Sequence, residues 1–573
     1  MRLTALVLLC CAVPVSSANE SQAAQLFPSG TLFYAEIPDP PGLLFMILDH
    51  PLFEKIEALP QYRQAVTSQD YRNFLTGRRM VEIQLGMDWR EALETLTAQG
   101  IAVGFDPRTQ GVGVVIRGRD AESVDRLVTK LVDIVRVGGS RRAVEETEYR
   151  GITVHQIDQA FFATIEDRLV VVNKPRLGQS IVDGLLDEGN SSLADNPRFQ
   201  SAAAQSNSAA TVRAFADVSA IRESGAAEDL FRGRAEDNPV AELLVGGILS
   251  TLQNTPWASA ELTVVADSLS LKTSMPHETE WIPEEREYFF GPRGSGRGPR
   301  LPGVDATVFT LSTWRDVSEM WLRAGDLFNQ STVDGFAEAD AGLTTFFAGR
   351  DFGEDILGAL SPEIGFIAAR QDFSDILPQP TIRLPSFALV LRLEDPKIMT
   401  RELRRAFQST IGFVNVLGAM EGRLQLELDM ETLDDGVQLV TATYIPEEDE
   451  SESTSADIIF NFSPSVGFSG DRFVVSSTRE LAHQLITAAD SEPRVTSDNS
   501  RVSVDVAVLR DILNDNRDQL VSQNMLSEGQ SRDEAEAAID LLLEIADYVR
   551  DAAVRMVTND NVVELELSLG LAE

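Results

Sequence analysis

Apolar residues in this chain fall into two alternating kinds of stretch. Short runs read as strands, and longer runs carry hydrophobic side chains at helical spacing. In the first half, strands are predicted at 31–37 and 101–105. Gly111-Val112-Gly113-Val114-Val115-Ile116 is predicted to start a strand over 112–118. Asp120 then stands where a helix over 121–136 needs an N-cap, with Leu127 and Leu131 on its apolar face. Strands follow at 151–158 and 162–173, and Leu177, Ile181 and Val182 mark a helix over 175–187. A further strand falls at 211–217, and a hairpin-like pair at 258–275 turns at Ala266-Asp267-Ser268. From 112 to 217 the order is strand, helix, strand, strand, helix, strand. That is the split βαβ order of ferredoxin-like folds, with both helices on one face of an antiparallel sheet. The remaining strands widen the sheet into an α+β lobe.

The second half repeats this order. Pro302-Gly303-Val304 leads into an extended segment, as Pro28-Ser29-Gly30 does. Gly86-Met87-Asp88-Trp89-Arg90-Glu91 finds its partner in Gly349-Arg350-Asp351-Phe352-Gly353-Glu354. In each, the Asp caps a helix and the Glu three residues on is placed to reach back, as in a capping box. Phe387-Ala388-Leu389-Val390-Leu391 is a strand, followed by Asp395 as cap and Pro396 at the first helical position. Leu403, Phe407 and Ile411 correspond to Leu127, Leu131 and Val135. Asp167-Arg168-Leu169-Val170-Val171 reappears as Asp471-Arg472-Phe473-Val474-Val475, and Leu481, Leu485 and Ile486 then match the helix at 175–187. Asp217-Val218-Ser219-Ala220-Ile221-Arg222 reappears as Asp505-Val506-Ala507-Val508-Leu509-Arg510. Matches in preserved order predict two homologous lobes, 20–276 and 304–573. Between them, 277–303 includes Gly291-Pro292-Arg293-Gly294-Ser295-Gly296-Arg297-Gly298-Pro299-Arg300 and reads as a flexible Gly/Pro/Arg-rich linker. The second lobe adds an acidic loop at 447–452, a strand at 457–462 and a helix at 533–549. Ile539, Leu542, Leu543 and Ala546 form that helix's apolar stripe.

Charge narrows the functional classes. The 573 residues hold 49 Lys+Arg against 89 Asp+Glu, a formal net charge of -40. Such a field repels phosphate backbones and anionic bilayers, so nucleic-acid binding is not expected. The segment 1–18 reads as a signal peptide: Arg2 supplies the positive start, an apolar core follows, and Ser16-Ser17-Ala18 precedes the cleavage point. The protein is therefore expected to be exported to the periplasm or the external medium. The chain's two cysteines, Cys10 and Cys11, lie inside this segment. Cleavage leaves a mature chain without thiols, which excludes disulfides and thiolate metal sites. A lipoprotein anchor on Cys10 or Cys11 is the rival, but Leu8-Leu9 lacks the small residue expected before a modified cysteine. No second membrane span is expected: the apolar run at 240–252 is short and contains Glu242.

Catalytic patterns are scarce. His50, His155, His277 and His483 are scattered, and His277 sits in no His-Glu-x-x-His motif. Ser463-Pro464-Ser465-Val466-Gly467 lacks the strand–nucleophile–helix setting of a hydrolase elbow. Gly294-x-Gly296-x-Gly298 superficially resembles a phosphate loop but follows no strand. Asp429-Met430-Glu431-Thr432-Leu433-Asp434-Asp435-Gly436 has calcium-ligand types without EF-hand spacing. Asp88, Asp351, Asp167 and Asp471 are accounted for by caps and turns. No catalytic, cofactor or metal residue is assigned.

Leu193-Ala194-Asp195-Asn196-Pro197-Arg198-Phe199, Gly349-Arg350-Asp351-Phe352-Gly353-Glu354, Asn461-Phe462-Ser463-Pro464-Ser465 and the Asp-Arg-Phe-Val-Val strand together resemble a class of secreted bacterial proteins grouped under a domain of unknown function. The resemblance implies a long, exported, acidic protein, and brings no activity, cofactor or site residue with it.

The expected function is a non-enzymatic extracytoplasmic binding or envelope-associated module, with an unknown protein, lipid or envelope ligand as partner. A carboxylate- or metal-dependent hydrolase of envelope material, and a carrier of lipid or another apolar ligand, are the alternatives.

Overall fold

The computed structural model describes residues 23–572, apart from 52, 54–56, 58–59, 138–143, 188–190, 208, 226–227, 232–236, 375–378, 434–435, 446–456 and 559–560. The expected signal peptide with Cys10 and Cys11, the acidic loop at 447–452 and part of the 429–436 stretch lie outside the described residues. Helix and antiparallel sheet are mixed throughout, and no described helix is long and apolar enough to cross a membrane. The chain divides into two compact units. One holds the chain up to Ala226 with Pro256–Val264; the other holds Ala227–Thr255 and Val265–Glu573.

The first unit contains β1 (Phe33–Ile37), β2 (Gly100–Asp106), β3 (Gly111–Arg117), β4 (Glu145–Tyr149), β5 (Ile152–Ile157), β6 (Ala160–Ile165), β7 (Arg168–Val172), β8 (Val212–Ala216) and β9 (Ala258–Val265). They pair antiparallel in the order β4-β5-β6-β7-β3-β2-β1-β8-β9. The expected strand over 162–173 is two strands, β6 and β7, with Glu166 at positive φ in the turn between them. Its principal helices are α1 (Trp89–Thr97), α2 (Ala121–Val137) and α3 (Pro175–Leu186).

The second unit contains α4 (Pro239–Asn254), β10 (Ser268–Pro276), β11 (Thr307–Trp314), β12 (Glu363–Ala369), β13 (Ser386–Arg392), α5 (Pro396–Met420), β14 (Leu426–Thr432), β15 (Gln438–Tyr444), β16 (Ser465–Ser469), β17 (Arg472–Ser476), α6 (Arg479–Thr487), β18 (Ser500–Asp505), α7 (Arg532–Ala546), β19 (Val549–Thr558) and β20 (Val562–Leu571). Here the order is β14-β15-β16-β17-β13-β12-β11-β18-β19-β20-β10, again antiparallel.

Two expectations about this architecture are corrected. In a closed split βαβ motif the last strand would sit beside the first. Instead β8 pairs with β1 and β9, because β2 pairs along the whole free edge of β3. Nor do the helices share one face. In the first unit α3 buries Leu177, Ile181 and Val182 against Val115, Val170 and Val172. By contrast, α2 buries Val124, Val128 and Val132 against Phe162 and Leu169. Adjacent residues of one strand point to opposite faces, so Leu169 and Val170 place α2 and α3 on opposite sides. The second unit does the same: α6 packs on Val390 and Val474, and α5 on Leu391 and Phe473. Strands covered on both sides carry unbroken apolar runs, which is what Leu169-Val170-Val171-Val172 displays.

The 277–303 stretch, expected to be a flexible linker, is packed inside the second unit. Tyr288, Phe289 and Phe290 are buried in a core with Met320, Leu327, Phe328, Met556 and Val563. The glycines of this stretch allow close approach. A Cβ on Gly296 would meet the Trp314 ring at 2.6 Å and the Phe290 carbonyl oxygen at 2.7 Å. Arg297 donates to Gly294 O, Gly296 O and Thr558 O. The 457–462 stretch, expected as a strand, is one short helical turn at Ile458–Asn461. The expected helix at 533–549 is α7, closed at its start by a capping box between Ser531 and Glu534.

Candidate functional site

The structure gives the sequence's conspicuous polar residues local duties. Asp88, Asp120, Asp217, Asp351, Asp395 and Asp505 each accept from a backbone N–H of the following helical turn. Glu354 does not reach back to Asp351; Asp355 takes the Asp351 N–H instead, at 3.1 Å. Ser465 is buried and bonded to Thr441 and Ser463 O, so it presents no nucleophile. Among the described residues no three His, Asp or Glu side chains gather as a metal site.

Three places in the second unit stand out. The first is a buried ion pair: Arg286 donates to both Glu242 oxygens at 2.7 and 3.1 Å, and to Ser250. Tyr288 Oη donates to Glu242, and burial raises its pKa well above the ordinary phenol range. Nearby Arg315 is buried, with no carboxylate paired to it among the described residues. It donates to Leu243 O, Phe289 O, Trp314 O and Asn499 Oδ1, and its guanidinium stacks 3.5 Å above the Phe289 ring. Desolvation pushes its pKa down to about 9. His277 is also buried here. Its Nδ1 meets Thr251 Oγ1 at 3.3 Å, its Nε2 has no hydrogen-bond partner among the described residues, and burial lowers its pKa. These groups are buried around the Tyr288–Phe290 core.

The second place is a shallow crevice lined by Arg300, Glu363, Arg392, Arg472 and Arg494. Arg392 and Arg472 face each other across β13 and β17, a like-charge pair that needs compensation. Asp471 supplies it to Arg392 and Arg494, and Asp490 to Arg472 and Arg494. Glu363 lies 3.5 Å from Arg392, and burial nevertheless raises its carboxyl pKa. Arg472 also caps the end of α6 through Leu485 O and Ala488 O. This network fastens the 490–494 segment to β13 and β17. Its carboxylates are engaged as ion-pair partners.

The third place is apolar and open. α5 packs its first turns on the sheet through Met399, Leu403 and Phe407, then through Ile411 against Leu426 and Ala442. Asn415, one turn further, bonds the edge strand: its Nδ2 donates to Leu426 O and the Leu426 N–H donates to its Oδ1, both at 2.8 Å. The other side of this helix end is uncovered. Phe413 and Val416 are 62% exposed and Met420 79% exposed, with Leu417 beside them. Positions 413, 416, 417 and 420 share one helical face. On the adjoining strand Leu428 and Met430 are exposed too, and Gln408 of α5 reaches Met430 Sδ. An uncovered apolar ridge of this kind is a candidate interaction surface. No charged residue occurs between Ala406 and Met420, an interval that stands out in a chain of net charge -40. Sequence reasoning placed Phe407 and Ile411 in the core and passed over this interval. The signal was apolar residues all round a helix rather than on one stripe.

No protein-family model and no curated protein matches the chain. Among solved structures it is similar to TP0453 in crystal forms III, IV and I, with TM-scores of 0.24, 0.25 and 0.23 at 11%, 10% and 12% identity. These similarities span 44% of this chain and 78%, 79% and 77% of TP0453. Likeness at that level carries no argument about what this chain does.

Proposed function

We propose that the protein is a non-enzymatic, extracytoplasmic binding module, associated with the cell envelope, that engages its partner through the apolar ridge of α5 and the adjoining strand β14. One observation carries this reading: Phe413, Val416, Leu417 and Met420 stand exposed together at the end of a helix that packs on the sheet through Met399, Leu403, Phe407 and Ile411. Leaving such a cluster in water forgoes ~1.5–3 kcal/mol per side chain, which a partner recovers on docking. The acidic remainder of the surface keeps the free protein soluble.

We also propose that the two units are related by duplication, as the matching sequence segments suggest. The orders β4-β5-β6-β7-β3-β2-β1-β8-β9 and β14-β15-β16-β17-β13-β12-β11-β18-β19 run in step and support this. Export rests on the sequence of 1–18; amino-terminal sequencing of the secreted protein should begin at Asn19.

The binding reading is tested with a photo-crosslinking amino acid at position 417 in the producing cell. The expected result is one discrete adduct, absent when the probe sits at 133 on α2 and lost in a Phe413→Glu background. Equal adducts from 417 and 133, or none from either, would contradict the reading.

A carboxylate hydrolase has one observation in its favour, the raised carboxyl of Glu363 in the arginine-lined crevice. Hydrolysis of envelope polymers by the purified protein, abolished in Glu363→Gln, would establish it. Absence of turnover would remove it.

A further inference from the structure

The ridge lies beside an open sheet edge. Among the described residues β14 pairs with β15 and with no other strand. Backbone direction alternates along a strand, and Leu426 spends its outward N–H and C=O on Asn415. Leu428, Met430 and Thr432 share that outward phase, so their backbone groups face the open edge. Unpaired edges are normally blunted. The corresponding edge of the first unit is: β4 reads Glu145-Glu146-Thr147-Glu148-Tyr149, and Glu146 is ion-paired with Arg136 of α2 and lies 3.4 Å from His155 Nδ1. α2 carries Lys130, Asp133 and Arg136 where α5 carries no charge. On the side facing the helix, the same place in the same strand order is thus charged in one unit, at Glu146, and apolar in the other, at Leu428 and Met430.

The two faces of β14 differ in chemistry. Leu426, Leu428 and Met430 lie on the α5 side, since Leu426 packs on Ile411 and Gln408 touches Met430. Glu427, Asp429 and Glu431 lie on the opposite side, where Glu431 pairs with Arg479 at 2.6 Å and Glu427 and Asp429 stand exposed. Gly412 and Val416 follow Gln408 along the flank of α5 that overlooks the edge, and a Cβ on Gly412 would meet only open space. The flank and the edge together form a trough with hydrogen-bonding groups along its floor.

Building on the binding reading above, we propose that this trough receives an extended segment of a partner protein, with alternating apolar and basic residues, added to β14 as a further strand. Its backbone pairs with Leu428, Met430 and Thr432. Its apolar side chains lie along Gly412 and Val416, and its lysines or arginines face Glu427 and Asp429. A second copy of this chain fits worse, because β14 against β14 sets these acidic residues against each other. A lipid surface fits worse as well. It leaves the edge N–H and C=O groups unpaired, and the acidic face repels anionic headgroups.

The test uses the full mature chain and a short fluorescent peptide of alternating lysine and valine. Three controls accompany it: alternating glutamate and valine, the lysine–valine composition in two blocks, and the lysine–valine peptide N-methylated on one backbone edge. The alternating lysine–valine peptide is expected to bind at least ~10-fold more tightly than every control, and Asp429→Lys is expected to reverse the preference toward the glutamate peptide. Equal binding of the block or N-methylated peptide would overturn strand addition. Binding of phosphatidylcholine vesicles without peptide binding would overturn it in favour of lipid. In either case a Phe413→Glu-sensitive adduct at 417 leaves the ridge itself standing as a binding surface; its absence as well would remove both readings.

Discussion

His277 shows how one buried residue links the core of the second unit to pH. Its ring lies tilted against Phe290, 4.8 Å between centroids, and it contacts Thr251. Burial lowers its pKa below the unfolded value of 6.5, so the unfolded chain binds the proton more readily. Stability is therefore full above about pH 6.5 and declines as pH falls through that value toward the lowered folded pKa. Urea midpoints at pH 7.5 and pH 5 should differ more in the native protein than in His277→Phe; equal differences would contradict this assignment. Glu242 makes a stronger demand. It is buried with Arg286 and Tyr288, and Glu242→Gln removes the charge that compensates Arg286. A loss of ~3–5 kcal/mol is expected in equilibrium unfolding. Both residues were visible in the sequence, Glu242 as an interruption in an apolar run and His277 as an isolated histidine. Their partners come from 250–251 and 286–290, and that pairing could not be read before the chain was folded.

At the scale of elements, the 277–303 stretch is the sharpest lesson. Glycine and proline density suggested a tether, yet Tyr288-Phe289-Phe290 within it is a core triplet. Glycine was present because Trp314 and Ser312 pack against the backbone, not because the backbone moves. Gly296→Ala is expected to destabilise the unit by ~1–3 kcal/mol through overpacking against Trp314. Limited trypsin digestion should spare Arg297, whose guanidinium is held by three carbonyls. Early cleavage there in the native protein would restore the linker reading. The caps were legible: Asp88, Asp120 and Asp395 lie where their helices begin, because capping is a contact within four residues. Which face a helix covers was not legible from order alone, since α2 and α3 are separated by the very strands they sandwich. The doubled apolar runs of β7 and β17 held that information in a form that alternation rules ignore.

At the scale of the whole molecule, an acidic chain keeps one helix end free of charge over 406–420 and sets it beside an open strand edge. In the first unit the helix-facing side of the equivalent strand carries Glu146, paired with Arg136, where β14 carries Leu428 and Met430. That difference between two similar strand orders is the reason to assign binding to the second unit. The candidate surface was only partly legible in the sequence. Phe407 and Ile411 were recognised as core positions, but the freedom of Phe413 and Met420 depends on what else the fold leaves beside them. Amide hydrogen exchange over 426–432, with and without the alternating lysine–valine peptide, tests the assignment most directly. New protection at Leu428 and Met430 on adding peptide is the expected result, with the corresponding amides of 145–149 unchanged. A bound peptide that leaves 426–432 exchanging as before would contradict it.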